Sequence, residues 1–186
     1  MEYSHKRAFT FIELIMTTMI IGVLSASGLY LLMYFVKNGV FIPKQLNMDM
    51  VVADALDVMI EGDNQARGLR FNRTITSIQD NQIVFTNHDG QSVRYRLDTV
   101  GNKLYRSING AAEIILPYYV PNSGATLTAL SNRLFTYYDA SETVTAAPAN
   151  VRWIAMTLTA ATGTGLYADW EAKSQQSSAV AVNRFQ

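Results

Sequence analysis

From Leu14 to Val36 the chain runs for 23 consecutive uncharged, mostly apolar residues. About 20 such residues wound as an α-helix span the hydrocarbon core of a bilayer, so this stretch reads as a transmembrane segment. Charged residues make up 16% of the chain, below the ~25% usual for a soluble domain, and the deficit is local. Between Ala8 and Val36 the only charged side chain is Glu13, whereas beyond Lys37 the composition is ordinary. The chain therefore has an apolar front and a soluble back, and 186 residues allow one globular domain plus one extra element. Residues 1–8, MEYSHKRA, are polar and place Lys6 and Arg7 directly before the apolar run. By the positive-inside rule these charges hold the N-terminal end in the cytoplasm, which puts residues 40–186 in the periplasm or beyond.

Glu13 complicates a plain membrane span. A carboxylate at the centre of a transmembrane helix costs about 2.5–3.5 kcal/mol on insertion scales, and less near the end. Position alone leaves two readings open: an acid reaching back to the interface, or an acid whose partner comes from another molecule. A rival reading of the whole segment is a secretory signal cut after Ser27, within Ser25-Ala26-Ser27. That cut would leave Leu29–Val36 for a soluble product to bury, and Glu13 would interrupt the signal's apolar core.

The run Ala8-Phe9-Thr10-Phe11-Ile12-Glu13-Leu14-Ile15 resembles the N-terminal signal of type IV prepilins and pseudopilins. Its parts are a basic leader, a small residue before the cut, Phe as first mature residue and Glu as fifth. Ala8 stands where that family nearly always has Gly. The resemblance implies that a prepilin peptidase cuts between Ala8 and Phe9 and methylates the Phe9 amino group. It also implies that Glu13 neutralises the new amino terminus of a neighbouring subunit inside a filament. A carboxylate and an ammonium, each costly alone in lipid, become tolerable when paired. Gly22, Ser25, Ser27 and Gly28 lower helix propensity and permit close helix packing; the resemblance adds a stretch that unwinds on assembly.

Asn38-Gly39 and Pro43 predict a bend where the chain leaves the membrane. A second helical stretch follows over residues 44–61, with Leu46, Met50, Ala53, Leu56 and Ile60 as an apolar stripe. Asn47, Asp54, Asp57 and Glu61 form an acidic face, read as solvated. From Thr74 the period becomes two. Strands are expected at 74–79, 83–85, 92–97, 103–108 and 113–116, separated by Asp80-Asn81, Asn87-His88-Asp89-Gly90, Gly101-Asn102 and Asn109-Gly110. Further strands are expected at 134–139 and 151–160, with a last one at 180–182. The predicted fold is α+β: a long N-terminal helix, transmembrane in its first half and amphipathic in its second, packed on an antiparallel sheet. Its divisions are a leader (1–8), a filament-core helix (9–36), an amphipathic helix and connection (37–73) and a β domain (74–186). Helix before sheet is the pilin order. The runs 93–106, 135–139, 151–156 and 180–184 are similar to J-type minor pseudopilins or W-type minor pilins.

Chemistry at a site is not expected. His88 is the one histidine outside the leader, and it sits in a turn signature; His5 belongs to the leader. No nucleophile elbow, phosphate-binding glycine loop or paired-histidine motif occurs. With no cysteine, disulfides, thiol catalysis and lipoprotein anchoring are excluded. Asp139 and Glu142 are the only metal candidates, and calcium wants six to eight oxygens, so the loop reads as solvated and no cofactor is expected. Equal numbers of basic and acidic residues, 15 each, give no bulk positive charge for nucleic acid. Arg67, Arg70, Arg73, Arg94 and Arg96 could still form a local basic patch. The expected function is a structural one, a minor pilin or pseudopilin in the inner membrane with other such subunits and a prepilin peptidase as partners. A membrane-tethered DNA- or ligand-binding module and a secreted protein cut after Ser27 are the alternatives.

Overall fold

The computed structural model describes residues 10–116, 125–129, 133–162 and 173–182. The chain divides into two compact units, Met1–Ile42 and Pro43–Gln186. Among the described residues the architecture is α+β, with one α-helix and antiparallel strands in two sheets.

Helix α1 runs without a break over Phe11–Ile60, with Pro43 inside it. The expected bend at Asn38-Gly39 and Pro43 falls within this helix, whose helical assignment continues through all three residues. Proline removes one backbone donor and crowds the carbonyl four residues back, here that of Gly39. The helix ends at Gly62, whose φ of +91° suits glycine at a helix C-terminus, and whose N–H donates to the Val58 carbonyl at 3.0 Å.

In the second unit the buried side of the helix is Met48, Val51, Val52, Ala55, Leu56, Val58, Met59 and Ile60. This corrects the expected stripe: Leu56 and Ile60 belong to the core, but Leu46 is 58% and Met50 70% exposed. Residues 46–60 are apolar on more than one face, so spacing admits two stripes and only the sheet selects between them. Of the acidic positions, Asn47 and Asp57 are exposed, and Glu61 pairs with Arg70. Asp54 is half-buried, with Oδ2 enclosed and without a hydrogen-bond partner. Its carboxyl is pushed up, first by burial and then by the nearby Asp57 charge.

The first sheet is a meander, β1 (Asn72–Gln79), β2 (Gln82–Asn87), β3 (Ser92–Asp98), β4 (Lys103–Ile108) and β5 (Ile114–Leu116), each antiparallel to the next. Alternation puts Ile83, Phe85, Val93, Tyr95, Leu97 and Leu104 inside, and the expected strands and turns in this stretch are present. Asn109 and Gly110 both take positive φ, 51° and 74°, the conformation that an Asn-Gly turn favours. Tyr95 packs against the Phe85 ring at 6.0 Å and donates its hydroxyl to the Val58 carbonyl at 3.0 Å, which ties the sheet to the helix.

The second sheet, which the single expected sheet did not anticipate, contains β6 (Ala125–Ala129), β7 (Phe135–Tyr138), β8 (Trp153–Thr162) and β9 (Lys173–Ala181). β9 pairs with β8 from Trp153 to Ala161. β7 pairs with residues 153–156 of β8 and β6 with 158–162, so these two short strands lie end to end along its other edge. The sheets join through turns of the first. The Asp80 carbonyl accepts from Leu134 and Phe135 N–H groups at 2.9 Å, and the Asn102 carbonyl from Leu127 N–H at 2.9 Å. The buried Tyr137 hydroxyl lies 2.9 and 3.1 Å from the Gln79 and Gln82 carbonyls.

Between helix and first sheet the loop Glu61–Gly68 folds back on the helix end. Gly68 donates to the Glu61 carbonyl at 3.0 Å, and a Cβ at Gly68 would meet the Ile60 carbonyl oxygen at 2.5 Å and the Gly62 nitrogen at 2.6 Å. Both neighbours are backbone and cannot yield as a flexible side chain would. Gly68→Ala is expected to destabilise the domain by about 3 kcal/mol, at the upper end of ordinary overpacking. Its midpoint in chemical denaturation measures this; an unchanged midpoint refutes it.

Candidate functional site

The apolar half of α1 is the largest feature that the core does not use. Phe11–Gly39 is long and apolar enough to cross a membrane; 29 residues at a rise of ~1.5 Å each exceed a hydrocarbon core of about 30 Å. Its large apolar side chains from Phe11 to Val36 are 39–79% exposed. Three of its hydroxyls, those of Thr17, Thr18 and Ser27, bond to carbonyls within the helix, as suits a lipid environment. Thr17 donates to the Glu13 carbonyl at 2.6 Å, Thr18 lies within 3.0 Å of the Leu14 and Ile15 carbonyls, and Ser27 donates to the Val23 carbonyl at 2.9 Å. A Cβ on Gly22 or Gly28 would meet nothing within 4 Å.

Glu13 sits in the first turn of this helix and is exposed. Its Oε2 accepts from the Thr10 N–H at 2.9 Å and from the Thr10 hydroxyl at 3.0 Å, and the Glu13 N–H donates back to Thr10 Oγ1 at 3.4 Å. This is a capping box, Thr at the cap and Glu three residues on. The sequence Thr10-Phe11-Ile12-Glu13 carries that signature openly, and the initial reading of Glu13 passed over it. The carboxylate thus has a role within its own helix, and a second oxygen, Oε1, for which no hydrogen bond is recorded. Lys6, Arg7, Ala8 and Phe9, together with leader residue His5, lie outside the described residues.

Four of the five arginines that could form a local basic patch, Arg67, Arg70, Arg94 and Arg96, are engaged with carboxylates. Arg94 and Arg96 both bind Glu113, with Arg94 Nη2 at 3.0 Å from Oε1 and Arg96 Nη2 at 2.5 Å from Oε2. Their hydrogen bonds and charges hold the Glu113 carboxyl below its ordinary range, against a small opposing cost of burial. Arg67 pairs with Asp89 at 3.1 Å, and Arg70 with Glu61. Arg73 is exposed.

Asp139 Oδ1 accepts from the Ser141 and Thr143 N–H groups at 2.8 and 3.0 Å, which shapes a turn in which Glu142 takes φ of +59°. Among the described residues no three His, Asp or Glu side chains gather where they could hold a metal ion. His88 donates its N–H to the Phe71 carbonyl at 3.0 Å within the β2–β3 turn.

Arg106, on β4, is fully buried and was not singled out by sequence. Its Nη1 lies 2.9 Å from Asp63 Oδ1 and its Nη2 donates to Gln65 Oε1 at 3.1 Å. Asp63 also accepts from the Gln65 and Ala66 N–H groups at 2.9 and 3.2 Å. Burial opposes its charge, but the Arg106 guanidinium and these N–H groups hold its carboxyl below the ordinary range. The pair locks the loop after the helix onto the sheet, a structural rather than catalytic arrangement. No family model, curated protein or solved structure matches the chain.

Proposed function

We propose that this chain is a pilin-like structural subunit, a minor pilin or pseudopilin of a type IV pilus or type II secretion filament. In this reading the segment Phe11–Gly39 anchors it in the inner membrane, with residues 40–186 on the periplasmic side. A prepilin peptidase cuts between Ala8 and Phe9 and methylates Phe9, and the subunit joins its filament through the apolar helix. Glu13 takes the charge of a neighbour's amino terminus. The reading assigns the chain no catalytic role and no cofactor.

One observation carries it. An exposed apolar helix continues as the covering helix of a β domain, and its single acid lies one turn from the start, in the setting Ala8-Phe9-Thr10-Phe11-Ile12-Glu13. Between Phe11 and Val36 this helix carries no charge but Glu13, and such a segment gains by associating with like helices in lipid, where polar groups pair with each other. The engagement of Arg67, Arg70, Arg94 and Arg96 by carboxylates argues against the DNA-binding alternative, since phosphates would have to displace partners already in place.

Intact-mass and N-terminal sequencing of protein recovered from membranes tests the reading. The expected chain begins at methylated Phe9. A chain beginning at Gly28 would identify a secreted protein, and a functional chain that keeps Met1–Ala8 would equally defeat the proposal.

A further inference from the structure

Among the described residues, two arginines each lie over an aromatic ring while binding a carboxylate. Arg96 lies 4.9 Å from the Tyr105 ring centre and binds Glu113; Arg67 lies 5.3 Å from the Phe71 ring and binds Asp89. A third aromatic–carboxylate group exists on the outer face of the second sheet. Tyr138 on β7 is paired with Trp153 on β8, and Ala155 and Ala179 are paired in the next row to face the same way. With Glu142 from the turn after β7 these residues line an open groove of about 400 Å³. Trp153 is 48% exposed, and the small Ala155 and Ala179 side chains leave space beside the indole. The groove lies between elements that the core fixes, and the Asp139 turn holds Glu142 in place. Among the described residues no cation lies over Trp153 or Tyr138 and none pairs with Glu142; the neighbouring Arg152 is exposed.

We propose that this groove binds an arginine side chain of a partner polypeptide. The guanidinium stacks on Trp153, its stem lies on Ala155 and Ala179, and Glu142 accepts its N–H groups. A planar cation is preferred over a lysine ammonium because it can stack and hydrogen-bond together. The site goes beyond the assembly reading and stands on different residues.

The test uses the full chain in detergent micelles, and the blocked peptide acetyl-Gly-Gly-Arg-Gly-Gly-amide is titrated while the backbone N–H resonances of Ala155 and Ala179, which line the groove, are followed. Saturable movement is expected, weakened about threefold to fivefold by Glu142→Gln and abolished by Trp153→Ala, with partial recovery in Trp153→Phe. The same peptide with neutral citrulline is expected not to bind. Binding of the citrulline peptide as tight as the arginine peptide, or no saturable shift from either, overturns the proposal. So does tighter binding of tetramethylammonium, which would make the groove a small-cation site. The variants change only surface side chains, and an unaltered spectrum away from the groove confirms their fold.

Discussion

Replacing Asp63 by alanine is expected to lower the stability of the β domain by about 3 kcal/mol, the lower end of what breaking a buried ion pair costs. Arg106 is inaccessible to solvent, so without Asp63 its charge stays enclosed with Gln65 Oε1 as a remaining partner. The converse change is milder. Arg106→Met leaves Asp63 partly exposed, 22% by side chain, and still accepting two backbone N–H groups. A loss of about 1–2 kcal/mol is expected there. With domain stabilities of about 5–15 kcal/mol, the first variant approaches the unfolding threshold and the second does not. Urea denaturation of the full chain in mild detergent ranks the two, and the reverse order would overturn this account. The pair also sets an acid dependence. Because folding lowers the Asp63 carboxyl below its ordinary value, its contribution is complete above the unfolded value of about 4 and fades as pH falls through the lower folded value. Asp63→Ala is therefore expected to flatten the stability profile at the acid end. Asp54 has the opposite sign, its carboxyl being raised by folding, and its penalty is relieved in acid.

The second large effect concerns Glu13, and the capping box makes the test sharper. Glutamine at this position can still reach the Thr10 N–H, since a capping box accepts Glu or Gln, but it carries no charge. If Glu13 works by pairing with an ammonium in lipid, Glu13→Gln and Glu13→Ala both lower incorporation into filaments by at least roughly tenfold, given about 2.5–3.5 kcal/mol for an unpaired charge in the membrane. If Glu13 serves only its own helix start, Glu13→Gln behaves as the unchanged protein, and Thr10→Ala is the damaging variant. Shear fractionation, or co-purification of subunits with the same N-terminal signal for a low-abundance subunit, reads the difference. Normal incorporation of Glu13→Gln would remove the intermolecular role.

Much of the fold was legible because its signals are local. The meander from Thr74 to Leu116 is written in alternation and in turn residues such as Asp80-Asn81 and Asn109-Gly110, which act within a few positions. The long apolar helix was legible from length and composition alone. In the second sheet β7 and β8 were legible as the strands expected at 134–139 and 151–160, but β6, most of β9 and the separation into a sheet of its own were not, for two physical reasons. β9, Lys-Ser-Gln-Gln-Ser-Ser-Ala-Val-Ala, is mostly polar, and its strand character comes from pairing along β8 rather than from its own residues. β6 is a five-residue piece, Ala125–Ala129, whose place depends on the distant turn at Asn102. Arg106 and Asp63 escaped notice for the same reason: separated by more than forty positions, they meet only when β4 closes over the end of the helix. The signals at Asn38-Gly39 and Pro43 did not end α1, since local propensity is a weak prior that context overrides. Of the candidate site, Glu13 was found from its isolation in an apolar run. Thr10 was missed although its spacing was visible, and the Trp153 groove exists only after β7, β8 and β9 are side by side.

The pairing of β8 has a bearing on the order in which the chain matures. Strands β1 to β5 each join their immediate successor, so they can zip up hairpin by hairpin as residues emerge. β8 takes partners from both directions, β6 and β7 before it and β9 after it. Contacts of long sequence separation form slowly, and a bare apolar strand edge invites association with other chains in the meantime. Residues 153–162 therefore wait with one flank open until Lys173–Ala181 arrives. Strand β9 works as a latch, and its arrival ends the interval in which a nascent copy is most exposed to mispairing.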